Sequence, residues 1–307
     1  MSITNFRAGD RPAAQPGSGS AKVTVQTILD KKNSPTPFAC LTAYDYSTAR
    51  LVDESGVDII LVGDSLGMVV LGYDSTLPVT MDEMLHHTRA VRRAVRRALL
   101  VADMPVGSYH ASIPEAVSNA ARFLKEAGAE AVKIEGGANR VDLVRALGDA
   151  QIPVVGHIGL TPQSLHKMGG YKVQGKTLVA FDALVADAKA LEAAGCFAIV
   201  LEGVPSALAA SITSQISIPT IGIGAGPHCD GQVMVFHDLV NLSFSPPAKF
   251  VRRYADAASL FREAITHYCE DVAQHNFPSE AESYHLPAGT AVLIDQRAAK
   301  TTLPKKA

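Results

Sequence analysis

The sequence predicts an α/β fold closed as a (β/α)8 barrel, and three observations carry that prediction. Short apolar runs alternate with longer segments of helical period along most of the 307 residues. The runs are nearly continuous Val, Ile and Leu without polar alternation, which is how strands covered on both faces of a parallel sheet read. Polar and acidic residues collect at the C-terminal ends of six different runs, the face on which barrel enzymes carry their sites. A doubly wound open sheet is the main competing arrangement, and the third observation favours the barrel.

The first 21 residues, "MSITNFRAGDRPAAQPGSGSA", are rich in Gly, Pro, Ser and Ala and are expected to form a mobile arm. Seven strands are then expected: "FACLTAYD" (38–45), "VDIILVGDS" (57–65), "LLVADMPV" (99–106), "AVKIEGG" (131–137), "IPVVGHIG" (152–159), "FAIVLEGV" (197–204) and "IPTIGIGAG" (218–226). The eighth is placed near 237–242 or 247–251. Helices fill the intervals. The segment 112–128 opens with Ser112 three residues before Glu115, a capping box, and stops at Gly128, and 181–195 stops in the same way at Gly195. No internal repeat or linker divides the core, so residues 22–275 are expected to be one catalytic barrel, a size close to the ~250 residues such barrels use. Residues 276–307 form a C-terminal extension whose end, "AAKTTLPKKA", reads as a second tail.

Composition removes several function classes. With 47% hydrophobic and 19% charged residues and a net charge of -2, the chain has ample material for a core and no overall attraction for nucleic acid or anionic membranes. "RAVRRAVRR" (89–97) sets Arg89, Arg92, Arg93, Arg96 and Arg97 on one helical face, but no aromatic residue interleaves, so an outer barrel helix is the better reading than a nucleic-acid stripe. No apolar run approaches the ~18 residues of a membrane helix, and the start lacks the apolar middle of a signal peptide. Cys40, Cys196, Cys229 and Cys269 lie far apart with no C-x-x-C pair, which fits packing residues in a reducing compartment. The expectation is a cytoplasmic enzyme or binding protein with no nucleic-acid or membrane partner.

The polar strand ends are Asp45, Asp64 with Ser65, Asp103, Lys133 with Glu135, His157 and Glu202. If the barrel closes, several carboxylates face one small space, and two ionised ones about 4 Å apart repel by roughly 4 kcal/mol at an effective dielectric of 20. A divalent cation relieves this. Oxygen ligands without Cys or a close His pair suit Mg²⁺ best and Mn²⁺ next. An α-keto acid can offer such an ion its carbonyl and carboxylate, and the ion then stabilises the enolate formed when the neighbouring C–H is lost. Asp45, just ahead of a helix, reads as a cap as readily as a functional acid, and a lone His157 as a structural residue as readily as a substrate contact.

Two short motifs are decoys. "GGYKVQGKT" contains the P-loop spacing at Gly170, Gly175, Lys176 and Thr177, but no buried strand precedes it, so a loop over the barrel mouth that closes on substrate is expected. "GIGAG" (222–226) has Pro227 where a dinucleotide loop needs its third Gly, and reads as a tight turn.

The motifs "LTAYDYSTARL", "LVGDSLGMVVLGYDSTLPVT", "ADMPVGSY", "VKIEGG", "GHIGLTPQS", "GGYKVQGKT", "VLEGVP" and "IGIGAGPHCDGQVMVFHD", in this order over about residues 22–275, resemble the ketopantoate hydroxymethyltransferase family. The resemblance implies a barrel of the phosphoenolpyruvate/pyruvate superfamily, assembled as a homo-oligomer, commonly a decamer. It implies transfer of a hydroxymethyl group from 5,10-methylenetetrahydrofolate to 3-methyl-2-oxobutanoate through a Mg²⁺-stabilised enolate, giving 2-dehydropantoate for pantothenate biosynthesis. By the same resemblance Asp64 and Asp103 are Mg²⁺ ligands, and Glu135 completes the metal shell, directly or through a water. Ser65 and Lys133 hold the keto-acid carboxylate, Glu202 is the proton acceptor, and the substrate-binding set is Asp64, Ser65, Asp103, Lys133 and His157. Val106 and Ala248 depart from the family's habit of an aromatic residue and a proline.

Chemistry supports these roles independently. Lys133 and Glu135, two apart on a strand, share a face. Glu202, across the ring from Asp64, can act as a base if partial burial raises its pKa. Two other functions would use much of the same site: a metal-dependent lyase or aldolase acting on another keto acid, and a non-catalytic ligand-binding barrel.

Overall fold

The computed structural model describes residues 21–301. Eight parallel strands close into a barrel: β1 (Phe38–Thr42), β2 (Ile59–Val62), β3 (Leu99–Asp103), β4 (Ala131–Glu135), β5 (Val154–Gly159), β6 (Ala198–Glu202), β7 (Thr220–Ile223) and β8 (Gly231–Met234). Each pairs with the next, and β8 closes the ring on β1 through the register Cys40 with Val233. All seven strands expected from apolar runs are present, each shorter than its run.

The eighth strand was expected too late. β8 is Gly231–Met234, whereas 236–239 is a short helix and 247–251 contains no strand. Parallel neighbours normally require a long crossover. Here β7 returns through residues 224–230, where Gly224 and Gly226 take left-handed φ values of 61° and 80° that allow the chain to turn sharply. Of "GIGAG", Gly222 and Ile223 end β7, and residues 224–226 open the turn that its residues suggested. The strand "GQVM" also alternates between buried and more exposed positions, so it lacks the continuous apolar signature of the others.

Side-chain parity explains that signature. Ile59, Leu61, Leu99, Val101, Val155, Val200, Ile221 and Val233 point inward and pack with one another, while Ile60, Val62, Leu100, Ala102, Val132, Ile134, Ile158 and Leu201 point outward under the helices. The outer layer includes Phe123 of the helix Ile113–Ala127 and Leu191 of the helix Leu178–Ala194. Both helices stop where expected, at Gly128 and Gly195 in left-handed conformations. Ser112 accepts from the Glu115 backbone N–H at 3.3 Å, which gives the cap but not the reciprocal bond of a full box.

The arginine run does not form one helical face. The helix Met81–Ala94 ends before Arg96 because the buried Asp53 carboxylate accepts the backbone N–H groups of Arg96, Arg97 and Ala98 at 2.8–3.1 Å. Arg89 pairs with Glu126, Arg92 with Glu130 and Arg97 with Asp58, so three of the five cations bind this chain's own acids. Asp53→Ala leaves three donors without this acceptor, of which the Ala98 N–H is buried, and since an unsatisfied buried group costs about 1–3 kcal/mol, a destabilisation of that size is expected in urea unfolding.

Cys40, Cys196 and Cys229 are buried and free, as expected for packing residues, but Cys269 is exposed. The chain divides into two compact units, one ending at Ala255 and the other beginning at Asp256. The second contains the helices Ala257–Ala273 and Ala288–Thr301, and the extension expected from residue 276 is its later part. The tail expected over 298–307 is helical as far as Thr301 and then lies outside the described residues, as does the N-terminal arm apart from Ala21. Among the described residues no helix is long and apolar enough to cross a membrane.

Candidate active site

The inward parity that fills the barrel floor with Leu61, Val101, Val155 and Val200 continues upward to a polar layer. Asp103, Lys133, Glu135, His157 and Glu202 all fall on the inward-facing register of their strands, and Asp64 follows β2 by two residues. Asp103 and Lys133 are register partners across β3 and β4, as are Glu135 and His157 across β4 and β5. The closed ring therefore brings together residues from five separate segments.

Their contacts form one connected network. The Asp64 backbone N–H donates to Asp103 Oδ2 at 3.1 Å, and Asp103 Oδ1 lies 3.2 Å from Lys133 Nζ. Lys133 Nζ also lies 3.1 Å from His157 Nδ1. His157 Nδ1 is 3.5 Å from Glu135 Oε1, and His157 Nε2 is 3.2 Å from Glu202 Oε2. Ser65 joins through its hydroxyl, 2.8 Å from that of the buried Tyr44. Gly63 keeps this corner open: a Cβ there would stand 2.8 Å from Ser65 Oγ and 3.5 Å from Asp103 Oδ2. Asp45 stands apart, capping the helix Tyr46–Glu54 by accepting from the Thr48 N–H and hydroxyl at 2.9 Å.

Electrostatics show what the site lacks. Asp64, Asp103, Lys133, Glu135 and His157 are all buried. Burial, then the charges of Asp103 and Glu135, push the Asp64 carboxyl up to about 8. Burial also raises Asp103, although Lys133 and the Asp64 amide act against it. Burial would raise Glu135 as well, but its bond to His157 and the nearby charges of His157 and Lys133 bring it below the usual range. Lys133 is held protonated: burial opposes its charge, and Asp103, Glu135 and Asp64 more than offset that.

His157 sits between two states. Burial and Lys133 disfavour its charge, while Glu135 and Glu202 raise its pKa to about 9. Yet the 3.1 Å approach of an ammonium, which has no lone pair, requires an unprotonated Nδ1. The geometry as it stands is that of the neutral ring with its proton on Nε2, facing Glu202. The imidazolium would instead turn Nδ1–H toward Glu135.

Three carboxylates thus share one fixed cation, and Asp103 Oδ1 is buried without a hydrogen bond. A divalent ion suits that imbalance and that donor set. Among the described residues no three His, Cys, Asp or Glu side chains already converge as a metal cluster. In this structure the acids are instead tied to Lys133, His157 and amide donors.

Three polar residues of the site carried no recognisable signal of their own. Gln163, Tyr109 and Tyr44 lie within motifs that were legible, but a neutral amide or phenol in a loop shows neither charge nor spacing to mark it. Gln163 Nε2 donates to Asp64 Oδ2 at 2.8 Å, and the Tyr109 hydroxyl bonds Gln163 Oε1. Over the mouth, the segment that imitates a P-loop follows a short helix, Leu165–Met168, rather than a strand, and its Thr177 caps the helix Leu178–Ala194. The Tyr171 hydroxyl reaches Met68 Sδ at 3.7 Å, and burial followed by the charges of Asp64, Glu202 and Glu135 raises its pKa.

Comparison with known proteins adds sequence evidence to this geometry. The family described as ketopantoate hydroxymethyltransferase matches residues 22–280. The chain is 66% identical over 271 residues to a 3-methyl-2-oxobutanoate hydroxymethyltransferase of Koribacter versatilis (strain Ellin345), covering 88% of this chain and 92% of that protein. Its fold is similar to the crystal structure of a phosphoenolpyruvate phosphomutase from Streptomyces platensis subsp. rosaceus, with a TM-score of 0.55 at 16% identity over 90% of this chain and 96% of that one. It is also similar to 2,3-dimethylmalate lyase, a PEP mutase/isocitrate lyase superfamily member, with a TM-score of 0.55 at 14% identity over 91% and 100% of the two chains. These two likenesses are of fold. Motif order, barrel closure and near-complete alignment with a sequence relative agree: the chain belongs to the ketopantoate hydroxymethyltransferase family.

Proposed function

We propose that this chain transfers a hydroxymethyl group from 5,10-methylenetetrahydrofolate to 3-methyl-2-oxobutanoate, consuming one water and giving 2-dehydropantoate and tetrahydrofolate. Beside family membership, the observation that carries this reading is the charged layer itself: Asp64, Asp103 and Glu135 buried with Lys133 above an apolar barrel floor. Asp64 and Asp103 would hold Mg²⁺, with Glu135 completing the shell. When bound there, Mg²⁺ would polarise the keto carbonyl and stabilise negative charge developing on its oxygen.

The remaining work falls to the chain's own groups. The Lys133 ammonium and the Ser65 hydroxyl bind the carboxylate of the keto acid, a charge-assisted contact that fixes its orientation. Glu202, opposite Asp64 in the ring, takes the proton from the branched carbon. His157, with its Nε2 3.2 Å from Glu202 Oε2, holds that carboxylate toward the cavity. The packed floor excludes water from below, so the reacting carbon is open to the folate only from the mouth. We place the enzyme in the cytoplasm, the reducing compartment that its widely spaced cysteines fit, and as a homo-oligomer, as its family resemblance implies.

The test is to incubate the protein with Mg²⁺, 3-methyl-2-oxobutanoate and methylenetetrahydrofolate and follow 2-dehydropantoate. Product that requires all three is expected. Carbon–carbon chemistry on keto acids without folate would replace this reading with the lyase, and tight keto-acid binding without turnover would replace it with the ligand-binding barrel.

A further inference from the structure

We propose that Gln163 is a positioning residue that fixes the Asp64 and Glu135 carboxylates for a divalent cation, an inference that rests on the metal reading above. Gln163 follows β5 in the short 3-10 turn Pro162–Ser164, and it is buried although it lies outside the barrel strands. From there it reaches segments that follow or end three different strands.

Its side-chain amide is fully used. Nε2 donates to Asp64 Oδ2 at 2.8 Å and to the Met104 carbonyl at 3.0 Å, which occupies both of its hydrogens. Oε1 accepts from the Tyr109 hydroxyl. The backbone N–H of Gln163 donates to Glu135 Oε2 at 3.0 Å. One residue therefore grips one oxygen of each of two acids, one just after β2 and one at the end of β4.

Tyr109 sets the direction of the amide. Its hydroxyl oxygen accepts the Glu135 backbone N–H at 3.2 Å, which leaves the hydroxyl hydrogen for Gln163 Oε1. A flipped amide would turn Oε1 toward the Met104 carbonyl, which only accepts, and toward Asp64, which only accepts once it is ionised to hold a cation. Arg140 stacks over the Tyr109 ring with its guanidinium carbon 5.0 Å from the centroid and donates to the Glu135 carbonyl at 3.1 Å, so the phenol is itself held.

The chemical type matters as much as the geometry. Lys or Arg at this place would also bind the two carboxylates, but its charge would compete with the cation for them. A neutral amide lends donors without neutralising the acids, so their negative charge stays available to an ion. The arrangement is that of an outer partner orienting a ligand, a role whose loss commonly weakens metal affinity by about 10–100-fold.

The experiment measures Mn²⁺ binding to the full chain by electron paramagnetic resonance, with and without 3-methyl-2-oxobutanoate, in the parent, Gln163→Leu and Tyr109→Phe. Gln163→Leu is expected to weaken Mn²⁺ binding by about 10–100-fold, with keto-acid C–H exchange recovered at high Mn²⁺. Tyr109→Phe keeps the amide but frees it to flip, and is expected to weaken Mn²⁺ binding by a smaller factor. A parent that binds no Mn²⁺ overturns the metal reading together with this one. A parent that binds it, with Gln163→Leu folded and equal in affinity, overturns the role of Gln163 alone. If Gln163→Leu does not fold, Tyr109→Phe decides, and parental affinity in that variant is the overturning result.

Discussion

Glu202→Gln is expected to slow exchange of the branched-carbon hydrogen of 3-methyl-2-oxobutanoate with solvent deuterium by about 10²–10⁴-fold, the usual contribution of a positioned general base, while keto-acid binding is retained. The side chain of Glu202 is 15% exposed against 3% for His157, so of this pair Glu202 is the one that reaches the open cavity. Its Oε2 lies 3.2 Å from His157 Nε2, a buried nitrogen with no hydrogen-bond partner, and an amide oxygen can occupy the same place. The substitution therefore removes basicity and changes little of the shape. Because exchange needs only the keto acid and the metal, proton nuclear magnetic resonance in D₂O reads the proton step without the folate-dependent transfer. Parental exchange in Glu202→Gln would move the base to another residue, with His157 the nearest candidate.

Most of the barrel could be read from residues because its physics is local. Strands buried on both faces read as near-continuous apolar runs, and β1 to β7 showed it, broken mainly by the polar residues of the site. β8 did not, since "GQVM" carries two polar or small positions and is reached through a seven-residue return with no helix to announce it. The site was legible for a related reason. Lys133 and Glu135 share a face by parity, and a charge at the end of an apolar run is conspicuous. Gln163 and Tyr109 were hidden because their meaning lies wholly in tertiary contacts: nothing in "TPQS" shows that its amide will meet Asp64, 99 residues earlier. The arginine run misled for the same cause. Helical period is a property of the segment, but the helix end is set by Asp53, which lies 43 residues before Arg96.

Asp103→Asn is expected to lower turnover by about 10³-fold or more, since a metal's stabilisation of developing charge is worth several kcal/mol and each 1.36 kcal/mol is tenfold in rate. The structure favours Asn over Ala for this test. Asp103 takes the Asp64 N–H on Oδ2 and faces Lys133 on Oδ1. Ala would remove both acceptors, leave the buried Asp64 N–H unpaired and open a cavity, losses that would confuse folding with function. Asn keeps the volume and one acceptor. Full turnover in this variant would reject Asp103 as a ligand. A second readout is independent of turnover. In the metal-free protein Asp64 is raised to about 8, first by burial and then by Asp103. A carboxyl raised in the folded state favours folding while it is protonated, and that contribution is lost as pH climbs from the unfolded value of about 3.9 through about 8. Urea midpoints of the parent should therefore fall across that window, and Mg²⁺, which binds the ionised acids, should restore them. In Asp103→Asn both the fall and the restoration should shrink, because the variant has removed one of the charges that made the cation necessary.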